Sequence, residues 1–192
     1  MGLLLHKIKK MSINYTHIHL YKLISLSVLL VISILLSYAE SLIPMQIAGI
    51  GIKIGLANIA TIVAIFLLSY GHGLLIGLLR VAILSYLFSN IIYFELSISG
   101  FIVSFIAMAI MLYLFNLDIK HIDNGFQIKL ILTSIVGSVF HNIAQIVVCY
   151  FILEKQAIIF NLLFVLIPVA IITGIIVGFL SIRVLKIVKY RK

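Results

Sequence analysis

The segment from Leu130 to Leu153 is apolar for the length of a bilayer crossing, and His141 is its only acid or base. About 20 apolar residues, rising roughly 1.5 Å each, span the hydrocarbon of a membrane. Read as a helix, Gly137, His141, Gln145 and Cys149 recur every four residues on one stripe, and Ser134, Ser138 and Asn142 make a second stripe beside it. Hydrogen-bonding side chains at that depth are costly unless they meet protein or a watered cavity. Two uses follow. The groups bond to neighbouring helices, or they line a pocket for a polar ligand.

Two further groups could do chemistry with them. Residues 40–58, Glu-Ser-Leu-Ile-Pro-Met-Gln-Ile-Ala-Gly-Ile-Gly-Ile-Lys-Ile-Gly-Leu-Ala-Asn, join the first two spans with glycines for unusual backbone angles and a proline. Lys53 can snorkel to the interface. With Asn58 one turn or so deeper, it can instead meet an anionic ligand arriving from outside. Tyr38 and Glu40 would belong to a gating loop at that mouth. Arg80 is the one lysine or arginine well inside a span, away from its first residues, and burying it costs at least a few kcal/mol without a partner. It is placed near the cytoplasmic end of the third span, where a structural pairing or a subunit contact is as reasonable as a substrate contact.

These groups need a membrane scaffold, and the composition supplies one. The chain has 192 residues, 64% hydrophobic and 10% charged, with a mean hydropathy of +1.33. A soluble domain carries about 25% charged residues, so a water-facing surface cannot be assembled. The expected fold is an all-α membrane protein with six transmembrane helices in one bundle. The spans are set at about Tyr21 to Ala39, Ile54 to Tyr70, Leu74 to Phe94, Leu96 to Phe115, Ile128 to Leu153 and Ala157 to Ile182. Gly71-His72-Gly73 is read as a tight turn, Glu95 as a short connection and Pro168 as an interruption. The domains are then 1–20, a basic N-terminal segment; 21–185, the six-helix domain; and 186–192, a basic tail.

The net charge of +9 does not point to nucleic acid. The bases gather at the ends, with Lys7, Lys9, Lys10 and Lys22 at one and Arg183, Lys186, Lys189, Arg191 and Lys192 at the other, beside apolar runs. Such clusters anchor on anionic lipid at the inner leaflet. Both termini are therefore expected in the cytoplasm, with the Asn116 to Gln127 loop, in a multi-pass bacterial cell-membrane protein. Small residues recur at four-residue spacing (Ser33 and Ser37, Gly73 and Gly77, Gly174 and Gly178), which lets helix backbones approach closely. Most of these serve packing within the bundle, whereas Ser33 and Ser37 could face a partner subunit.

For an enzyme the inventory is thin. The five acids form no paired motif, and diphosphate chemistry on magnesium needs several oxygen ligands in one place. No glycine loop with Lys-Ser/Thr is present to cradle nucleotide phosphates. His141 has no acid in its span to complete a nucleophilic set. One cysteine excludes an internal disulfide and a multi-cysteine metal site. No cofactor and no metal are expected.

Several stretches together resemble a known family. They are Ile52-Lys53-Ile54-Gly55-Leu56-Ala57-Asn58, Leu79-Arg80, Ser99-Gly100-Phe101-Ile102-Val103-Ser104, residues 137–145, and Ile167-Pro168 with Thr173-Gly174 and Gly178. In order and spacing they resemble the bacterial Gx transporter family, also labelled heptaprenyl diphosphate synthase component I. That family is similar in turn to the substrate-binding S components of energy-coupling factor transporters. The resemblance covers roughly Ser37 to Phe179 and departs at Ala144, where the family often has glycine. It implies uptake of a small-molecule substrate, with a transmembrane coupling subunit and two ATPases as partners; the polar mouth and apolar surround leave both an anionic and an amphiphilic metabolite open. Lys53 and Asn58 would form the outer mouth, Asn142 and Gln145 the deeper set, and His141 would orient or bind. The synthase label implies instead a non-catalytic membrane accessory subunit in isoprenoid or menaquinone synthesis.

Overall fold

The computed structural model describes residues 2–42, 46–47, 50–51, 55–88, 91–119, 121–152 and 161–190. The described residues form six helices: α1 (Gly2–Ser41), α2 (Asn58–Leu67), α3 (Tyr70–Phe88), α4 (Ile91–Phe115), α5 (Asn124–Ile152) and α6 (Leu163–Tyr190). Between α1 and α2, the two-residue strands β1 (Gln46–Ile47) and β2 (Ile50–Gly51) pair antiparallel. Five helices are long and apolar enough to cross a membrane: His19–Ser41 within α1, then α3, α4, α5, and Leu163–Lys189 within α6. This is the architecture of a multi-pass membrane protein.

The sixth helix of the set, α2, is different. Its 10 residues rise only about 15 Å, half of a ~30 Å hydrocarbon layer. The apolar run around it is long enough for a crossing, but Gly55 takes a left-handed backbone at φ +90° and the helix cannot begin before that kink. The other bounds move for local reasons. Ser69 Oγ accepts from the His72 backbone N–H and lies 2.7 Å from His72 Nδ1. That cap starts α3 at Tyr70, so Gly71, His72 and Gly73 are helical and not a turn. Asp123 Oδ1 accepts from the Phe126 N–H at 2.7 Å and starts α5 four residues before the expected Ile128. Glu95 lies inside α4, and Pro168 lies inside α6 near its start. Proline has no N–H for the helical bond to the carbonyl four residues before it, so the second turn of α6 lacks that one bond.

α5 is the middle of the bundle, packed along α4 on one side and α6 on the other. Gly174 and Gly178 of α6 make the second contact close: a β-carbon at either would lie 2.6 Å and 2.8 Å from the Cα atoms of Ile135 and Ile131. The main apolar core joins Leu29 of α1, Ile62 of α2, Met108 of α4, Leu130 of α5, and Val177 and Leu185 of α6. Lys186 Nζ donates to Gln127 Oε1 at 3.1 Å, which sets the end of α6 beside the start of α5. Large apolar side chains cover the outside, among them Leu23, Leu35, Ile106, Ile110 and Phe151. In water such a surface would aggregate; against lipid tails it is the matched face.

Candidate functional site

Both stripes of α5 face inward: Ser134, Gly137, Ser138, His141, Asn142, Gln145 and Cys149 are all buried, while Phe140, Val147 and Phe151 point out. The polar groups therefore meet other helices at mid-bundle. Gln145 Nε2 lies 3.2 Å from His141 Nε2. An amide nitrogen can only donate, so with the amide in this orientation the imidazole Nε2 accepts and the ring proton sits on Nδ1. The ring packs on Gly100 of α4, where a β-carbon would lie 2.7 Å from His141 Cε1. Asn142 Nδ2 reaches across to α6 and donates to the Leu166 carbonyl at 3.2 Å.

Asn58, the first residue of α2, donates from Nδ2 to Ser104 Oγ at 3.2 Å. Ser104 is near the middle of α4, and Gly55 is 4.0 Å from the His141 ring by the same construction of a β-carbon. The N-terminus of α2 thus opens at the mid-depth of α4 and α5, inside the bundle. Irregular backbone at that depth is tolerated only when protein or a cavity surrounds it. Its cover includes Glu40, near the end of α1: the Leu56 backbone N–H donates to Glu40 Oε1. Glu40 is 5% exposed, a carboxylate on the partly positive end of a helix.

Arg80 enters the same place from α3. It is 5% exposed, and its guanidinium lies over the Phe101 ring at 5.5 Å from the centroid. It sits eleven residues into α3, near the middle of that helix. The Glu40 carboxylate is near enough to act on it electrostatically. A cavity of about 10 Å³ lies among Ser37, Glu40, Gly55, Arg80, Ser97 and His141, room for about one water. The buried amide oxygens of Asn58 and Asn142 and the hydroxyls of Ser134 and Ser138 have no hydrogen-bond partner among the described residues.

Of the residues singled out in the sequence, Asn58, His141 and Gln145 come together, and Asn142 is turned to α6. Ser33 and Ser37 are buried within this chain, 0% and 3% exposed, and Ser37 lines the cavity. Tyr38 is half-exposed and stacks on Phe88 at 6.4 Å, on the outer side of α1. Lys53 lies outside the described residues. Sequence reasoning quoted Ser99 to Ser104 of α4 for the resemblance but gave no site role to Ser97, Gly100 and Ser104, which are buried on one face at three- and four-residue spacing. It also overlooked the approach of Glu40 to Arg80, since nothing local relates two residues 40 positions apart. Away from this centre, an open cavity of about 210 Å³ at the α4–α5 connection is lined by Asp118, His121, Asp123 and Lys129 among others. Among the described residues, no three histidine, cysteine or acidic side chains gather to hold a metal ion.

Fold and site define a class: a multi-pass helical membrane protein with a charged and amide-rich centre, entered by a half-length helix. The chain belongs to the heptaprenyl diphosphate synthase component I family, whose sequence model matches residues 29–184. That match carries the synthase-component description and no transport component. Comparison with curated proteins and with solved structures returns no match.

Proposed function

We propose that the protein is the non-catalytic membrane subunit of a polyprenyl diphosphate synthase, assembled with a separate subunit that performs prenyl transfer. The family match over residues 29–184 carries this reading. The chain's chemistry agrees: its five acids form no aspartate cluster able to hold magnesium on diphosphate. Such a subunit contributes a bilayer address and a hydrophobic surround for a product that is insoluble in water. The termini, rich in lysine and arginine, and with them the α4–α5 loop that carries Lys120, would face the cytoplasm of a bacterial cell and receive the partner there.

Co-purification tests it. A tagged full-length chain, extracted gently from its own cells, should bring with it an activity that elongates an allylic diphosphate with isopentenyl diphosphate. Deleting the chain should release that activity from the membrane fraction. Recovery of ATPases and a coupling subunit, without prenyl-transfer activity, would overturn it.

One observation favours a second reading, capture of a small metabolite for uptake. α2 opens its N-terminus at mid-depth beside the Asn58 amide oxygen, which has no hydrogen-bond partner among the described residues, an arrangement that suits ligand contact in broken-helix transporters. Lys53 and Asn58 would form the outer mouth, Asn142 and Gln145 the deeper set, and His141 would orient the ligand. A retained metabolite that raises thermal stability, and binds at least tenfold more weakly to Asn58→Ala or Gln145→Ala, would support it.

A further inference from the structure

The centre of the molecule holds two charged groups, Arg80 and Glu40, that neither reading uses. Arg80 presents a buried guanidinium over the face of Phe101 and lines the same small cavity as the Glu40 carboxylate. A guanidinium fork matches a carboxylate or phosphate bidentately. The His141 ring lines the same cavity, and the Leu56 N–H, a backbone donor just ahead of a helix N-terminus, reaches it through Glu40. Together these are the parts of an oxyanion site. The group that now meets the Leu56 N–H is the carboxylate of Glu40.

We infer that Arg80, the Leu56 amide and His141 form an oxyanion-binding site whose resident occupant is Glu40, displaced when an external carboxylate or phosphate group binds. The cavity volume requires the displacement. About 10 Å³ admits one water and no phosphate, so a ligand enters only as the Glu40 side chain leaves. Glu40 is placed to leave. It lies in the last turn of α1, next to Ser41 and exposed Leu42, and withdrawal asks only that this turn loosen. Glu40 would thus act as a built-in competitor, keeping the site closed to weak or dilute anions. Val81 and Leu84 complete the lining and suit either a free oxyanion or the head of an amphiphile. The inference goes beyond the accessory-subunit reading and does not depend on it.

Chemical rescue tests the site on full-length protein in a non-ionic detergent. Glu40→Gln keeps the shape and removes the competing charge, leaving Arg80 uncompensated. Its melting temperature in chloride should fall below wild type, and inorganic phosphate should restore it by about 5 °C. Wild type should gain at most a fraction of that at the same concentration, and Glu40→Gln/Arg80→Gln should gain nothing. Should Glu40→Gln not survive purification in chloride, monodisperse protein obtained only in phosphate counts as the rescue. Dodecyl phosphate at equal concentration separates the sources: a larger shift than phosphate assigns the head of an amphiphile, and an equal shift assigns a free oxyanion. No phosphate response in Glu40→Gln overturns the inference, as does an equal response in the double variant.

Discussion

The contact between α5 and α6 gives the sharpest quantitative test. At Gly174 an added β-carbon would sit 2.6 Å from Ile135 Cα and 3.0 Å from Ile135 N. Carbon atoms settle at about 3.5–4.0 Å, so the two helices must part by roughly 1 Å. Neither neighbour is a side-chain tip that can swing away; both are backbone atoms of a central helix. Overpacking of this kind costs about 1–3 kcal/mol. Against it stands the helix propensity of alanine, worth up to about 1 kcal/mol over glycine. Gly174→Ala should therefore lose roughly 1 kcal/mol net, and Gly174→Val, bulkier and a poorer helix former, about 3 kcal/mol. At about 2–4 °C per kcal/mol for a chain of this size, valine should lower the apparent melting temperature by on the order of 10 °C. The protein supplies its own probe: it has one cysteine and no tryptophan, and Cys149 is 3% exposed on α5. A dye that fluoresces on thiol reaction then reports when α5 is uncovered, with scan rates matched because membrane-protein melting is kinetic. Gly71→Ala is the control, since a β-carbon there meets only Ser69 Oγ at 3.8 Å. If Gly174→Val melts at or above wild type, the close α5–α6 approach is wrong.

Three other outcomes follow from single contacts. Asn142→Leu removes the bond to the Leu166 carbonyl and should destabilise by about 1 kcal/mol, read as a small drop in the same thiol-dye melt. Asp123→Ala removes the cap on the Phe126 N–H; a loss of about 1 kcal/mol is expected, with faster amide exchange confined to the first turn of α5. A double-mutant cycle of Asn58→Ala and Ser104→Ala should show a coupling of about 0.6 kcal/mol, at most near 2, and zero coupling would contradict the 3.2 Å bond.

The sequence by itself determined that this is a helical membrane protein, and it found the polar face of α5 before any coordinates. Both facts rest on short-range information. Apolar runs report their solvent directly, and residues three and four apart share a face whatever the helix meets. The four-residue glycine spacing at Gly174 and Gly178 was legible for the same reason. Helix ends were less so. Ser69 and Asp123 cap their helices through side-chain bonds that compete with ordinary turn signals, which is why Gly71-His72-Gly73 read as a turn and α5 as starting late.

Tertiary structure decided what the polar face meets. An apolar run of full crossing length became a half-length α2, because Gly55 turns the chain at mid-depth and Asn58 bonds to Ser104 from a helix far along the sequence. Glu40 and Arg80 were separate puzzles in one dimension, one a gate residue and the other a base near the inner edge. Burial brings them to one cavity, since a charge removed from water needs an opposite charge or a donor nearby, wherever in the chain that partner lies.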